Sequence, residues 1–382
     1  MAVQYGAGNI GRGFMGQLFS QSGYEVIFID VNQQIVDQLN KDRSYPVNIV
    51  TDTGNEELKI ENARAVNGQD MDAIAEEISR ADIMATAVGV NILPHIAGPI
   101  AGGLKKRWEN RNWNPLNIII CENLLDGDKY LASLIRAELS ETEKEFVSRY
   151  VGFVEASIGR MVPVMTREMQ AGNLLRICVE PYSTLPVDKD AFVGEIPDIV
   201  NMIPFSPFEV YIQRKLYIHN MGHAVTAYLG ARKGFKYIWQ AIQDKEVKEI
   251  ARNAMLESAR ALAAEHNYPL EDLQEHVDDL ISRFGNRQLG DTVERVGRDI
   301  ARKMSPNDRF MGAVRLCLRH GIDPKNIYIG MAAALKFDDP ILKSRITLTG
   351  AEYEAYILNE ICGLAPDSEI LHSIQLAGIT KH

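Results

Sequence analysis

The sequence predicts two domains: a Rossmann-type, doubly wound α/β N-terminal domain followed by a mainly α-helical C-terminal domain. Three observations carry that prediction. Short apolar runs alternate with amphipathic stretches over residues 1–120, a glycine-rich turn follows the first run, and helical periodicity dominates from about residue 207. At 382 residues the chain exceeds one ordinary core and suits two domains.

Ala2–Tyr5 reads as a strand that enters the glycine turn, and residues 11–22 read as the helix after it. Glu25–Asp30, rich in branched and aromatic residues, is a second strand, and residues 32–40 a second helix. Ala81–Gly89 is a strand ending in glycine, and Asn117–Cys121 is a continuous apolar run of the kind found in buried parallel strands. Between about 150 and 200 the pattern turns mixed: Gly152–Glu155 and Leu174–Glu180 read as strands, and Pro181, Pro186 and Pro197 punctuate the rest. Glu209–Gly230, Lys245–His266 and Leu270–Phe284 are long amphipathic helices. The expected division is therefore 1–200, including a mixed connector over about 150–200, and 201–382.

Composition narrows the function. A formal net charge of −10 argues against a general nucleic-acid binder and against docking on an anionic membrane. An anionic substrate would need a local cationic pocket. Cys121, Cys178, Cys317 and Cys362 are far apart and form no CxxC pair, so neither a zinc knuckle nor a disulfide framework is expected, and a reduced, cytoplasmic compartment fits. Met1 leads almost directly into the glycine turn, which leaves no room for a signal peptide. No apolar run approaches the ~18 residues of a membrane span. No heptad seam insists on an oligomer, so a monomer or a homodimer is expected.

Gly6-Ala7-Gly8-Asn9-Ile10-Gly11 is a GxGxxG turn between a strand and a helix. Gly6 permits the tight turn, Gly8 lets backbone N–H groups approach a pyrophosphate, and Gly11 lets helix and strand pack closely. The helix start adds unpaired N–H donors and a positive dipole end. Asp30 ends the second strand, where a carboxylate binds both ribose hydroxyls and repels a 2′-phosphate. Val31, Asn32 and Gln33 supply no arginine to receive one. NAD is therefore expected over NADP.

A Rossmann domain names a cofactor, not a substrate. On a regular helix Lys215, His219 and His223 fall at about 0°, 40° and 80°, and Asn220 at about 140°. These polar groups share one arc, either as a site or as a solvated stripe. His219 and His223 have zinc-ligand spacing, but Asn-Met-Gly stands between them, the HExxH glutamate is missing and no cysteine lies nearby. No metal is expected.

The Lys215-x4-Asn220-x2-His223 arrangement resembles the signature of the polyol-specific long-chain dehydrogenases, of the mannitol dehydrogenase family. The resemblance extends through Gly6–Phe14, Thr86–Gly89, Asn117–Asn123 and Asp291–Arg298, in order and over nearly the whole chain. It implies NAD-dependent, metal-independent interconversion of D-mannitol 1-phosphate and D-fructose 6-phosphate. Lys215 would be the general base, which requires burial and neighbouring positive charge to ease its deprotonation. Asn220 would donate to the alkoxide or carbonyl oxygen, and His223 would orient substrate or lysine. The cofactor would be met by Gly6, Gly8, Asn9, Ile10, Gly11, Asp30, Ala87, Val88 and Asn123. Another polyol, polyol phosphate or hexuronate on the same scaffold is the alternative, and an inactive NAD-binding protein a more distant one.

Arg295–Arg309 concentrates cations in an acidic chain. Arg295 and Lys303, about 80° apart if one helix runs between them, resemble a substrate-contacting pair of the family. Arg298 and Arg309 are further candidates for a phosphate, whereas Arg302 and Arg309 read equally well as a solvated basic face. Three departures stand out. Glu155 occupies a position that is usually asparagine or aspartate in relatives, and an ionised glutamate cannot donate a hydrogen bond. Gly159 stands where relatives carry aspartate, and Asn286-Arg287 where they tend to have Asn-Pro. His219 and Met221 also replace more common small or apolar neighbours.

Overall fold

The computed structural model describes residues 1–163 and 165–379. The chain divides into two compact units, Met1–Glu209 and Val210–His382.

The first unit is built on a six-stranded parallel sheet. Its strands are β1 (Ala2–Tyr5), β2 (Val26–Asp30), β5 (Ala63–Asn67), β6 (Ile83–Thr86), β7 (Leu116–Ile120) and β8 (Val151–Glu155), in the order β5-β2-β1-β6-β7-β8. Strand order reverses at β1/β6, which places a ligand crevice at the carboxyl ends of those two strands. Side-chain alternation splits the core between the two faces. Val3, Tyr5, Ile27, Ile29, Met84, Ile118 and Ile120 bury on one side, and Phe28, Ala85, Ile119 and Val154 on the other. Buried strands of this kind are largely apolar, and the one polar side chain of Leu116–Ile120, Asn117, is paired with the backbone of Val193 at 3.1 and 2.9 Å.

Two features of this unit differ from the sequence reading. A hairpin, β3 (Ser44–Thr51) and β4 (Gly54–Glu61), stands between the second helix and β5. Its outer strand is almost wholly exposed, so it lacks the apolar alternation that marks a half-buried strand. The second lies in the mixed connector, whose residues fall within this unit. β9, shorter than expected at Ile177–Val179, pairs in parallel with β3, while β10 (Leu185–Asp188) and β11 (Met202–Phe205) form a two-stranded sheet. Buried guanidinium groups tie these parts together: Arg12 donates to the Ala7 carbonyl at 2.7 Å and to Leu175, and Arg160 donates to the Gly13 carbonyl at 2.9 Å.

The second unit contains no strand among its described residues. Its central helix, Lys245–His266, begins at an Asp244 cap whose side chain accepts from Val247 N–H at 3.0 Å, and it ends at Asn267 in the left-handed region. It packs against Met221–Arg232, Leu270–Phe284 and Lys325–Leu335. Glu209–Arg232 is one helical run but not a regular α-helix, because Arg214–Asn220 is π-helical. The 100° arithmetic of a regular helix therefore fails over Lys215–Asn220: i→i+5 bonding is wider and changes the phase of every side chain beyond it.

Candidate active site

The glycine turn is formed as its spacing requires. Gly6 has φ +93°, and a Cβ there would lie 2.5 Å from the Ala87 carbonyl oxygen. A Cβ on Gly11 would collide with the Gly6 carbonyl, whereas Gly8 faces open space. Gly8 and Asn9 are exposed and Ile10 is half-buried at the mouth of the crevice. Beyond it the chain enters a π-helical turn, Gly11–Met15, before Gly16–Gln21. A bare backbone cradle at a helix start fits a dinucleotide pyrophosphate. Asp30 is anchored beside it: Oδ2 accepts from Ala7 N–H at 2.7 Å and Oδ1 from Asn32 N–H at 2.9 Å. The carboxylate thus braces the turn while keeping lone pairs for ribose hydroxyls. Ala87 and Val88 follow β6, and Asn123 follows β7, at the same end of the sheet.

Glu155 ends β8 and is half-buried. Burial, together with Asp128, Asp126 and Asp188, pushes its carboxyl up to about 7. With its carboxyl raised that far, Glu155 is accessible as the neutral acid near neutral pH, a form that can donate a hydrogen bond. The glycine at 159 also has a local reason, since a Cβ would sit 3.1 Å from the Tyr182 ring.

In the second unit the π-turn carries Lys215 and Asn220, and His223 follows on the next α-helical turn. The His223 ring stacks on Phe284, with centroids 4.7 Å apart and an interplanar angle of 12°. Its Nε2 lies 3.4 Å from Asp291 Oδ2 without hydrogen-bond alignment. Burial pushes the imidazole down to about 4, against the pull of Asp291 and with Arg295, Arg309 and Lys303 adding to the fall. His223 is therefore neutral at physiological pH. His219 is buried beside it, 6.3 Å centroid to centroid, and burial together with Arg283 holds it well below the ordinary range.

The cationic segment departs from expectation. No helix runs from Arg295 to Lys303: Val293–Gly297 stops at Arg298, Asp299 takes φ +68°, and a new turn begins at Ile300. The 80° separation between Arg295 and Lys303 therefore has no meaning here. The break is held by Tyr228, whose hydroxyl donates to the Gly297 carbonyl at 2.9 Å, and by fully buried Asp339, which accepts from Ile300 N–H at 2.7 Å. Arg295 forks onto Asp291, with Nε to Oδ1 at 2.6 Å. Lys303 is buried and donates to the Arg298 carbonyl; burial, then Arg309 and Arg302, bring its ammonium down to about 7. Arg298 is exposed at the break. Arg302 is exposed and paired with Asp299, as a solvated basic residue would be. Arg309 is buried against Asp308 at 2.7 Å, so it is neither a solvated residue nor an outward phosphate arm. Arg287 lies over the Trp239 ring at 4.8 Å.

Two residues of this arrangement escaped the sequence reading. Asp291 joins His223 to Arg295, and its i,i+4 relation to Arg295 was the available signal. Phe284, the platform for His223, left none. Among the described residues no cluster of His, Cys, Asp or Glu is arranged to hold a metal ion.

A dinucleotide-type turn at a Rossmann switch point, and a helical unit bearing a lysine, an asparagine and a neutral histidine, define a nucleotide-dependent dehydrogenase class. Residues 1–201 match the mannitol dehydrogenase Rossmann domain, and residues 208–344 the mannitol dehydrogenase C-terminal domain. The chain belongs to the mannitol dehydrogenase family. It is 40% identical over 340 residues to the mannitol-1-phosphate 5-dehydrogenase of Brevibacillus brevis, covering 89% of this chain and 86% of the relative. It is 37% identical over 374 residues to that of Bacillus licheniformis, covering 97% of each. The fold is similar to Pseudomonas fluorescens mannitol 2-dehydrogenase in ternary complex with NAD and D-mannitol (TM-score 0.76, 16% identity, 99% of this chain and 90% of that one). It is also similar to a substrate-free D-sorbitol dehydrogenase (TM-score 0.81, 15% identity, 98% and 91%).

Proposed function

We propose that this chain is an NAD-dependent oxidoreductase that interconverts D-mannitol 1-phosphate and D-fructose 6-phosphate. The observation that carries the reading is the match, at 37% identity over 97% of both chains, to a relative bearing the name mannitol-1-phosphate 5-dehydrogenase.

NAD, when bound, supplies the hydride acceptor at its nicotinamide ring. The chain's own groups do the rest. Gly6–Gly11 offers backbone N–H donors to the pyrophosphate, and Asp30 offers its remaining lone pairs to the adenosine ribose. Lys215 takes the proton from the substrate hydroxyl in the oxidative direction and returns it on reduction. Asn220 donates a hydrogen bond to the same oxygen as negative charge develops there. His223, neutral and held flat on Phe284, orients the substrate by a hydrogen bond. Arg295, Arg298 and Lys303 receive the phosphate; charged N–H donors suit its oxygens. The cysteines Cys121, Cys178, Cys317 and Cys362 are free and buried, as a reduced cytoplasmic enzyme would keep them. No described helix is long and apolar enough to cross a membrane.

The test is NADH consumption with fructose 6-phosphate, fructose and fructuronate, repeated with Lys215→Ala. The expected result is turnover with fructose 6-phosphate, insensitive to EDTA, and a loss of at least about 100-fold in the variant with NADH affinity retained. Faster turnover of fructose or fructuronate would reassign the substrate. NADH binding without turnover of any ketose would remove the enzymatic reading.

A further inference from the structure

Glu122 is a buried acid to which the proposed chemistry gives no task. It stands two residues beyond β7, beside the end of β6. Cys121 N–H donates to the Thr86 carbonyl at 3.1 Å, which extends the strand ladder by one residue and turns the next side chain back over the end of β6. Glu122 Oε2 accepts from Thr86 Oγ1 at 2.6 Å, and Oε1 from Val88 N–H at 2.9 Å. Both carboxylate oxygens are thus used on one short loop.

That loop lies directly on the glycine turn. Ala87 N–H donates to the Tyr5 carbonyl at 2.9 Å. A Cβ on Gly6 would meet the Ala87 carbonyl oxygen at 2.5 Å and Val88 Cγ1 at 3.1 Å, so the two walls touch with no atom to spare. Gly89, with φ +92°, then carries the chain away. The contact sits between β1 and β6, where the strand order reverses and the crevice opens.

We propose that Glu122 is a positioning residue of the nucleotide site: its carboxylate locks the Thr86–Gly89 loop against the glycine turn and so presets the wall on which the cofactor lies. Without it the Val88 N–H and the Thr86 hydroxyl lose their acceptor. The loop then regains freedom that binding must remove again. This rests on the assignment of NAD to the glycine turn.

The test is NADH titration by fluorescence on the wild type, Glu122→Met, Glu122→Gln and Thr86→Val, with a thermal melt of each. Methionine fills a similar volume without accepting either bond. Glutamine keeps an oxygen for Val88 N–H and an amide that can donate to Thr86 Oγ1. The expected result is an NADH Kd raised at least about tenfold in Glu122→Met, rescue to near the wild-type value in Glu122→Gln, and an intermediate value in Thr86→Val. A lowered melting temperature with unchanged Kd in Glu122→Met would reduce the residue to a structural role and overturn the proposal. Equal losses in the Met and Gln variants would assign the effect to charge and overturn it as well. If Glu122→Met does not fold, an unchanged Kd in Thr86→Val overturns it. A wild type that fails to bind NADH would strike the cofactor assignment itself.

Discussion

Asp291 Oδ2 lies 3.4 Å from His223 Nε2, while its other oxygen accepts from Arg295 Nε at 2.6 Å. One carboxylate therefore lies beside the imidazole proposed to orient the substrate and holds the guanidinium proposed to receive its phosphate.

Asp291→Asn should keep the volume and lose the charge that holds Arg295. A hydrogen bond to a charged group contributes about 1.5–3 kcal/mol, so kcat/KM for fructose 6-phosphate should fall roughly 10- to 100-fold. NADH affinity should stay unchanged. Steady-state kinetics beside a fluorescence titration separates the two, and unaltered kcat/KM would show that the contact does not matter for turnover.

Lys303 gives a pH dependence with a definite sign. Burial lowers its ammonium to about 7, so the cation is lost as pH rises through that value. If this cation meets the phosphate, the KM for fructose 6-phosphate should rise above pH 7, by as much as about tenfold per pH unit. Lys303→Met should start from a high KM and stay flat over the same range. A wild-type KM independent of pH from 6 to 9 would exclude Lys303 as a charged ligand.

Asp30→Ala removes both the proposed ribose ligand and the acceptor for Ala7 N–H. NAD should bind more weakly, and the preference for NAD over NADP should shrink. The ratio of kcat/KM for the two cofactors, measured in the wild type and the variant, checks this. Comparable values for both cofactors in the wild type would contradict the assigned specificity.

Glu257 performs a purely structural service in the second unit. It is buried and accepts from the N–H groups of Asn326 and Ile327, both at 3.1 Å, at the start of Lys325–Leu335, whose own preceding residue is Pro324. Glu257→Ala leaves those donors buried without an acceptor, at about 1–3 kcal/mol for each group. Urea unfolding should show the loss, while kcat/KM of the folded enzyme stays the same.

How far such features can be read from sequence depends on their range. Gly6, Gly8, Gly11 and Asp30 declare themselves because a strand, a turn and a helix occur in immediate succession, and Gly6 and Gly11 each answer a steric demand of the turn. Lys245–His266 and Leu270–Phe284 are legible from end to end because their faces repeat every turn. The exposed strand Gly54–Glu61 carries no such repeat. The break at Arg298–Asp299 is held by tertiary contacts from Tyr228 and Asp339, far away in sequence. No periodicity announces a break that distant residues impose. The same is true of Glu122, whose meaning depends on β6 and β7 being neighbours.

The two buried guanidinium groups bear on where this chain can be cut. Arg12, inside the glycine-turn helix, gives its protons to Ala7 and Leu175, while Arg160 reaches back to Gly13 and to Gln17 Oε1 at 2.7 Å. A fragment trimmed to the first five parallel strands would cost one of these cations its acceptor at Leu175 and delete the other. The smallest excisable nucleotide-binding piece accordingly runs through β11, so binding studies on an isolated half should use a boundary near Glu209 rather than one near residue 150.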